Sequence, residues 1–92
     1  MRSDIYEGIK REIVHLLRDE EGVPLQLFFE ILHKRFVDLL GEKTGWYLYH
    51  VKLDLETRRV LNVERSKGKR NITTVVKMTT AYRKHILNLT IL

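Results

Sequence analysis

The fold of this chain depends on residues 45–71, GWYLYHVKLDLETRRVLNVERSKGKRN. The stretch begins with a Trp-Tyr pair and a dense apolar run. It ends with four cations around the lone Gly68, namely Arg65, Lys67, Lys69 and Arg70. We interpret it as a recognition helix over 44–58, followed by a basic β-hairpin.

Two periodicities compete in the apolar run. Alternate residues form one apolar set, which is typical of a half-buried strand; the set is Tyr47, Tyr49, Val51, Leu53 and Leu55. Helical spacing is also present on one face, at Thr44, Leu48, Val51 and Leu55. A helix would carry a second apolar side, formed by Trp46, His50, Leu53 and Thr57. Periodicity alone allows both a strand and a helix.

The segment 51–61, VKLDLETRRVL, resembles the end of the third helix in winged helix-turn-helix domains. In that family a Leu-Glu pair closes the helix, a short turn follows, and two apolar residues begin the wing. With the Trp-Tyr opening, the segment is similar to a group of small bacterial winged-helix DNA-binding proteins. The resemblance covers about residues 4–80 and favours a helix over 44–58. It implies an α+β fold with a three-helix core and a C-terminal β-hairpin wing.

Arg59 departs from the family pattern, in which a glycine often occupies this position. Glycine adopts the left-handed conformation of such a turn at low cost. An arginine makes the turn harder to explain, so the strand alternative stays open here.

A first amphipathic helix is predicted over 4–20. Asp4 is the expected N-cap, with Glu7 as its capping-box partner, and Gly22 is expected to end the helix. Its apolar stripe consists of Ile5, Ile9, Ile13, Leu16 and Leu17.

A second helix is predicted over 25–40 and ends at Gly41. Its core candidates recur at helical spacing and are Leu25, Phe28, Phe29, Ile31, Leu32, Phe36, Leu39 and Leu40. Val23-Pro24 connects the first two predicted helices. In winged helices the connector at this place often forms a short strand that pairs with the wing. Thr44 is the expected N-cap of the third helix.

Two wing strands are predicted over 59–65 and 71–79, because Val, Ile and Thr dominate and apolar residues alternate there. The last residues, 81–92, form a short apolar tail of the single domain 1–92. We expect a helical turn over 81–85 and a β-prone end. An apolar end either covers the core or pairs with another copy. We favour a homodimer through this tail or through the first helix.

Charge is distributed unevenly along the chain, whose net charge is +5. Residues 1–44 hold seven Lys and Arg against nine Asp and Glu, a net of −2. Residues 45–92 hold ten against three, a net of +7. A basic half of this kind indicates a polyanionic partner, although solvated surfaces carry such charges too.

We therefore expect a cytoplasmic DNA-binding protein and transcriptional regulator that places its third helix in the major groove and its basic wing on phosphates of double-stranded DNA. The predicted contact residues are Lys43, Thr44, Tyr47, His50, Arg58, Arg65, Lys67, Lys69 and Arg70. The alternative is a winged-helix protein–protein interaction module without DNA binding, since fold does not determine function.

Other functional classes find no support in the sequence. The chain has no cysteine, and its four histidines do not form a metal-spaced pair, so we expect no metal or other cofactor. No nucleophile lies near a base in the sequence pattern, which argues against an enzyme. No apolar run approaches the roughly 20 residues that cross a bilayer, and the N-terminus lacks a signal-peptide core.

Overall fold

A computed structural model of the chain describes the backbone of residues 2–67 and 72–91 and the side chains of residues 2–65 and 73–89. These residues form an α+β domain. Its elements in chain order are α1 (Ser3–Leu17), β1 (Val23–Pro24), α2 (Leu25–Leu40), α3 (Thr44–Thr57), β2 (Leu61–Lys67), β3 (Ile72–Met78) and α4 (Thr80–Ile91).

The three strands form one antiparallel sheet in the order β1-β3-β2. In the hairpin, Leu61 lies opposite Met78 and Val63 lies opposite Val76. Val23 of β1 also pairs with Val76, which confirms the predicted pairing of this connector with the hairpin. The predicted hairpin is confirmed, with strand bounds that differ from 59–65 and 71–79 by one to two residues.

A single core forms between the inner face of this sheet and the buried sides of α1, α2 and α3. Its buried apolar members are Ile9, Ile13, Leu17, Val23, Phe28, Leu32, Leu48, Val51, Leu55, Val60, Leu61, Val76 and Met78. At about 25 cal/mol per Å² of apolar area, burial of each large side chain stabilises the fold by roughly 1.5–3 kcal/mol.

The apolar run of residues 46–55 is helical, not extended. The four residues at helical spacing, Thr44, Leu48, Val51 and Leu55, are all buried. The opposite side is exposed. A strand would have placed Tyr49 and Leu53 in the core with Val51. Contacts with α1, α2 and β2 therefore select the 3.6-residue period over the 2-residue period.

Arg59 occupies the left-handed turn that ends α3, with φ of 60°. The Arg59 N–H donates to the Glu56 carbonyl at 3.0 Å, and the Val60 N–H donates to the Leu55 carbonyl at 2.9 Å. These two bonds make a Schellman motif, and the accompanying apolar pair, Val60 and Leu55, is buried. The Leu55-Glu56 pair is therefore followed by the expected helix-ending turn, with Arg59 in the place of the usual glycine.

The N-terminal details of α1 differ from expectation. Arg2, not Asp4, is the N-cap, and no side chain caps the helix. The Asp4 carboxylate lies in the first turn, where negative charge is favourable, and it accepts a hydrogen bond from the Arg2 guanidinium at 3.0 Å. The helix also ends at Leu17, well before Gly22.

The predicted bounds of α2 are confirmed, and Gly41 ends this helix with φ of 63°, a conformation that favours glycine. Leu39 is not a core residue, since its side chain is 77% exposed. Thr44 is not an N-cap. It is the first residue of α3, and its hydroxyl donates to the Gly41 carbonyl at 2.6 Å across a short 3₁₀ turn.

The tail is a helix, α4, and the expected β-prone end is wrong. The Thr79 hydroxyl accepts a bond from the Tyr82 N–H and so caps α4, while it donates to the Arg59 carbonyl at 2.6 Å. Tyr82 and Ile86, one turn apart, pack against the core. The Arg83 guanidinium donates to three carbonyls at the end of α1, those of Leu17, Arg18 and Glu20.

Candidate nucleic-acid interface

The solvent-facing side of α3 is aromatic. Trp46 is 54% exposed and Tyr49 is 51% exposed, and the His50 side chain between them is also exposed. The ring centroids of Trp46 and His50 are 4.3 Å apart, and those of Tyr49 and His50 are 5.6 Å apart. These three side chains form a continuous patch, which we call the aromatic surface. Leu53, one turn further on, is 39% exposed.

The charged side chains of α3 are bonded within the protein. Lys52 is buried, and its ammonium donates to the Glu56 carboxylate at 2.8 Å. The Arg58 guanidinium donates to the Asp54 carboxylate at 2.7 Å. Both are i,i+4 pairs along the helix, and the second is exposed enough to contribute only a little stability. The cationic character of α3 itself is therefore small.

Asp54 also joins α3 to α1, because it accepts a hydrogen bond from the Tyr6 hydroxyl. This bond and the bonded Arg58 guanidinium hold the pKa of the Asp54 carboxyl below its usual value. Burial and the neighbouring carboxylate raise the pKa of Tyr6 to about 12. The contact fixes the end of α3 relative to α1, and with it the position of Arg58.

The predicted contact residues at the start of α3 have different surroundings. Lys43 is exposed immediately before the helix. Thr44 is fully buried, so it presents no surface to a ligand and we leave it out of the proposed interface. Tyr47 is half-buried against the core, and its ring meets that of Trp46 edge-on with centroids 5.1 Å apart.

The described part of the hairpin contributes one of the predicted cations. Arg65 is exposed on β2, and strand alternation puts it on the same face as Leu61 and Val63. On the other face, the Lys77 ammonium lies 2.7 Å from the Glu64 carboxylate. The predictions for the Lys67 side chain, Lys69 and Arg70 concern groups that lie outside the described residues.

The family model described as "Family of unknown function (DUF6958)" matches residues 1–71. The chain belongs to this family. The match covers α1 to β2 and so includes the aromatic surface and Lys43. No curated protein and no solved structure matches the chain.

The structure adds Trp46 and Tyr49 to the candidate site. The predicted contact residues included Tyr47 and His50 but neither Trp46 nor Tyr49. The available signal was the second side of the helical pattern, which placed Trp46 and His50 opposite the buried face.

In the part of the chain that the structure describes, every helix is too short or too polar to span a bilayer.

Proposed function

We propose that the domain is a winged helix that binds duplex DNA as a transcriptional regulator, with α3 in the major groove and the β2–β3 hairpin on the phosphates. The main support is the position of α3, whose solvent-facing side is open along the helix and is followed directly by β2. The element order supports it as well, because the short β1 pairs with the hairpin as it does in the family that the sequence resembles.

Charge supports a polyanionic partner. Two exposed cations flank the aromatic surface along the chain. Lys43 precedes it at the start of α3, and Arg65 follows it on β2. The sequence adds Lys67, Lys69 and Arg70 directly after Arg65. Cations of this kind neutralise phosphates and release counterions, which supplies most of the sequence-independent binding energy.

The test is a titration of duplex DNA at two salt concentrations, roughly 50 and 200 mM. We expect affinity to fall steeply with salt. Replacing Lys43 and Arg65 by alanine should weaken binding to all sequences and reduce the slope of log K against log salt by about 0.9 for each phosphate that is no longer neutralised. A triple alanine variant of Lys67, Lys69 and Arg70 should act in the same direction.

The matched control removes two exposed cations elsewhere, by replacing Arg11 on α1 and Lys34 on α2 with alanine. This variant has the same net charge as the Lys43 and Arg65 variant. If both pairs weaken binding equally, the effect comes from net charge and not from an interface at α3. If duplex binding is unmeasurable even at low salt, the proposed function is wrong.

A second candidate function is a winged-helix protein–protein interaction module, which the exposure of Trp46, Tyr49 and Leu53 favours. Partner binding that is abolished by Trp46→Ala and unaffected by charge reversal in the hairpin would support it over DNA binding.

A homodimer remains part of the proposal, through α4 or α1. Leu87 and Leu89 of α4 are 59% and 62% exposed, and a two-fold dimer would present two α3 helices to a two-fold DNA site. Sedimentation of the protein and of a Leu87→Ser variant tests this. We expect a dimer that the substitution weakens, and a monomer at all concentrations would exclude it.

A further inference from the structure

The side of α3 that faces solvent lacks the side chains that usually read base edges. Residues 45–57 contain no Asn, Gln, Arg or Ser. Their one lysine, Lys52, is buried and bonded to Glu56. The Thr57 hydroxyl donates to the Leu53 carbonyl at 3.0 Å, which leaves few polar groups to recognise paired bases.

The same side carries partly exposed aromatic rings in place of polar groups. Trp46 and Tyr49 keep about half of their surface in solvent, although burial of large aromatic side chains is favourable. Ring faces bind bases by stacking, and stacking requires a base whose own face is free. Bases in a duplex are stacked on each other and do not offer that face to the major groove.

We propose that the aromatic surface of α3, formed by Trp46, Tyr49 and His50, stacks on unpaired bases, so that the protein also binds single-stranded or locally opened DNA through a contact that an intact duplex does not offer. The inference rests on the proposed DNA-binding function and adds a second form of the nucleic acid that this helix contacts. Stacking is tolerant of base identity, so we expect weak sequence preference at this contact.

A groove beside the indole supports the placement of a base there. The groove has a volume of about 450 Å³ and is lined by Glu42, Lys43, Trp46 and Tyr47. This volume lies in the range of small-ligand sites, roughly 300–1,000 Å³. Glu42 disfavours a phosphate at this position, whereas Lys43 next to it can neutralise the phosphate of an adjoining nucleotide.

The experiment uses the fact that Trp46 is the single tryptophan of the chain. A twelve-residue oligodeoxythymidylate and a blunt duplex of twelve base pairs are each titrated into the protein, and the tryptophan emission is followed. We expect the single strand to quench the emission more strongly than the duplex does, because a base that stacks on the indole changes its surroundings.

Variants are compared by the anisotropy of a labelled oligonucleotide. Trp46→Ala should weaken binding of the single strand by roughly 5- to 150-fold, the equivalent of one base stack. Trp46→Phe should restore most of the affinity. Leu39→Ala, which removes an apolar side chain that is 77% exposed on α2, is the matched control and should have no effect.

Equal quenching of the tryptophan emission by the duplex, or an unchanged single-strand affinity in Trp46→Ala, overturns the inference. If the Lys43 and Arg65 variant still weakens duplex binding in that case, the proposed function stands without the stacking contact. If neither form of DNA binds at low salt, both fail. Emission that changes with protein concentration and not with DNA shows that a second copy covers the rings, which also overturns the inference.

Discussion

Replacing Arg59 by glycine should stabilise the protein. Arg59 is the one non-glycine residue with positive φ in the part of the chain that the structure describes. Its side chain is exposed, and its N–H and carbonyl are bonded through the backbone and through Thr79. Glycine keeps these backbone bonds and removes the close approach between Cβ and the following carbonyl oxygen.

The magnitude follows from two opposing terms. The left-handed conformation costs a non-glycine residue roughly 1–2 kcal/mol. Glycine loses more chain entropy on folding, which offsets roughly 0.5–1 kcal/mol of the gain. We therefore expect a net stabilisation of about 0.5–1 kcal/mol, and a rise in Tm of about 2–8 °C for a domain of this size.

Thermal and urea unfolding of three variants test this reasoning. Arg59→Ala removes the same charge but keeps Cβ, so it should not be stabilised. Arg58→Gly introduces glycine one residue earlier, where φ is −82°, and should lose up to about 1 kcal/mol. Equal stabilisation by Arg59→Ala would attribute the gain to charge, and destabilisation by Arg59→Gly would refute the strain argument.

Three further outcomes are expected. Tyr6→Phe removes the hydrogen bond to the partly exposed Asp54 carboxylate and should lower the free energy of unfolding in urea by about 1 kcal/mol at neutral pH. Because the folded-state pKa of Asp54 is depressed, the stability difference from wild type should persist above the unfolded pKa of 3.8 and shrink as the pH falls below it. A stability difference that does not change with pH would contradict this. Glu56→Ala should lower the free energy of unfolding by about 3 kcal/mol, because it leaves the buried Lys52 ammonium unpaired, whereas Lys52→Met should lower it by under about 1 kcal/mol. Equal losses of stability in the two variants would contradict this reasoning. Arg83→Met should lower hydrogen-exchange protection in α4 with little change in α3, and unchanged protection would mean that its three carbonyl bonds do not hold α4.

The candidate site was only partly predictable. Lys43, His50, Arg58 and Arg65 are exposed as expected. Thr44 was placed on the apolar helical face and also assigned as an N-cap that contacts DNA. Its burial excludes the DNA contact, and the N-cap assignment failed because an N-cap threonine and a threonine that bonds back across a 3₁₀ turn have the same sequence. The bond between Tyr6 and Asp54 spans 48 residues, a separation at which no local pattern carries information.

The tail shows why local propensity can fail. Residues 86–92 are β-prone by composition, yet α4 is helical because Thr79 caps its start and Arg83 bonds to the end of α1. The carbonyls that Arg83 binds lie 63 to 66 residues away in sequence, so tertiary contacts support the helix against a weak local preference.

The sequence by itself determined the two hairpin strands and the two candidate apolar faces of residues 44–57. It also determined that the second half of the chain is basic. Only the tertiary structure decided that 46–55 is a helix, because two periods were present in the same letters and packing against α1, α2 and β2 stabilises one of them. It alone decided that Trp46 and Tyr49 face solvent, since exposure depends on which neighbours a helix acquires.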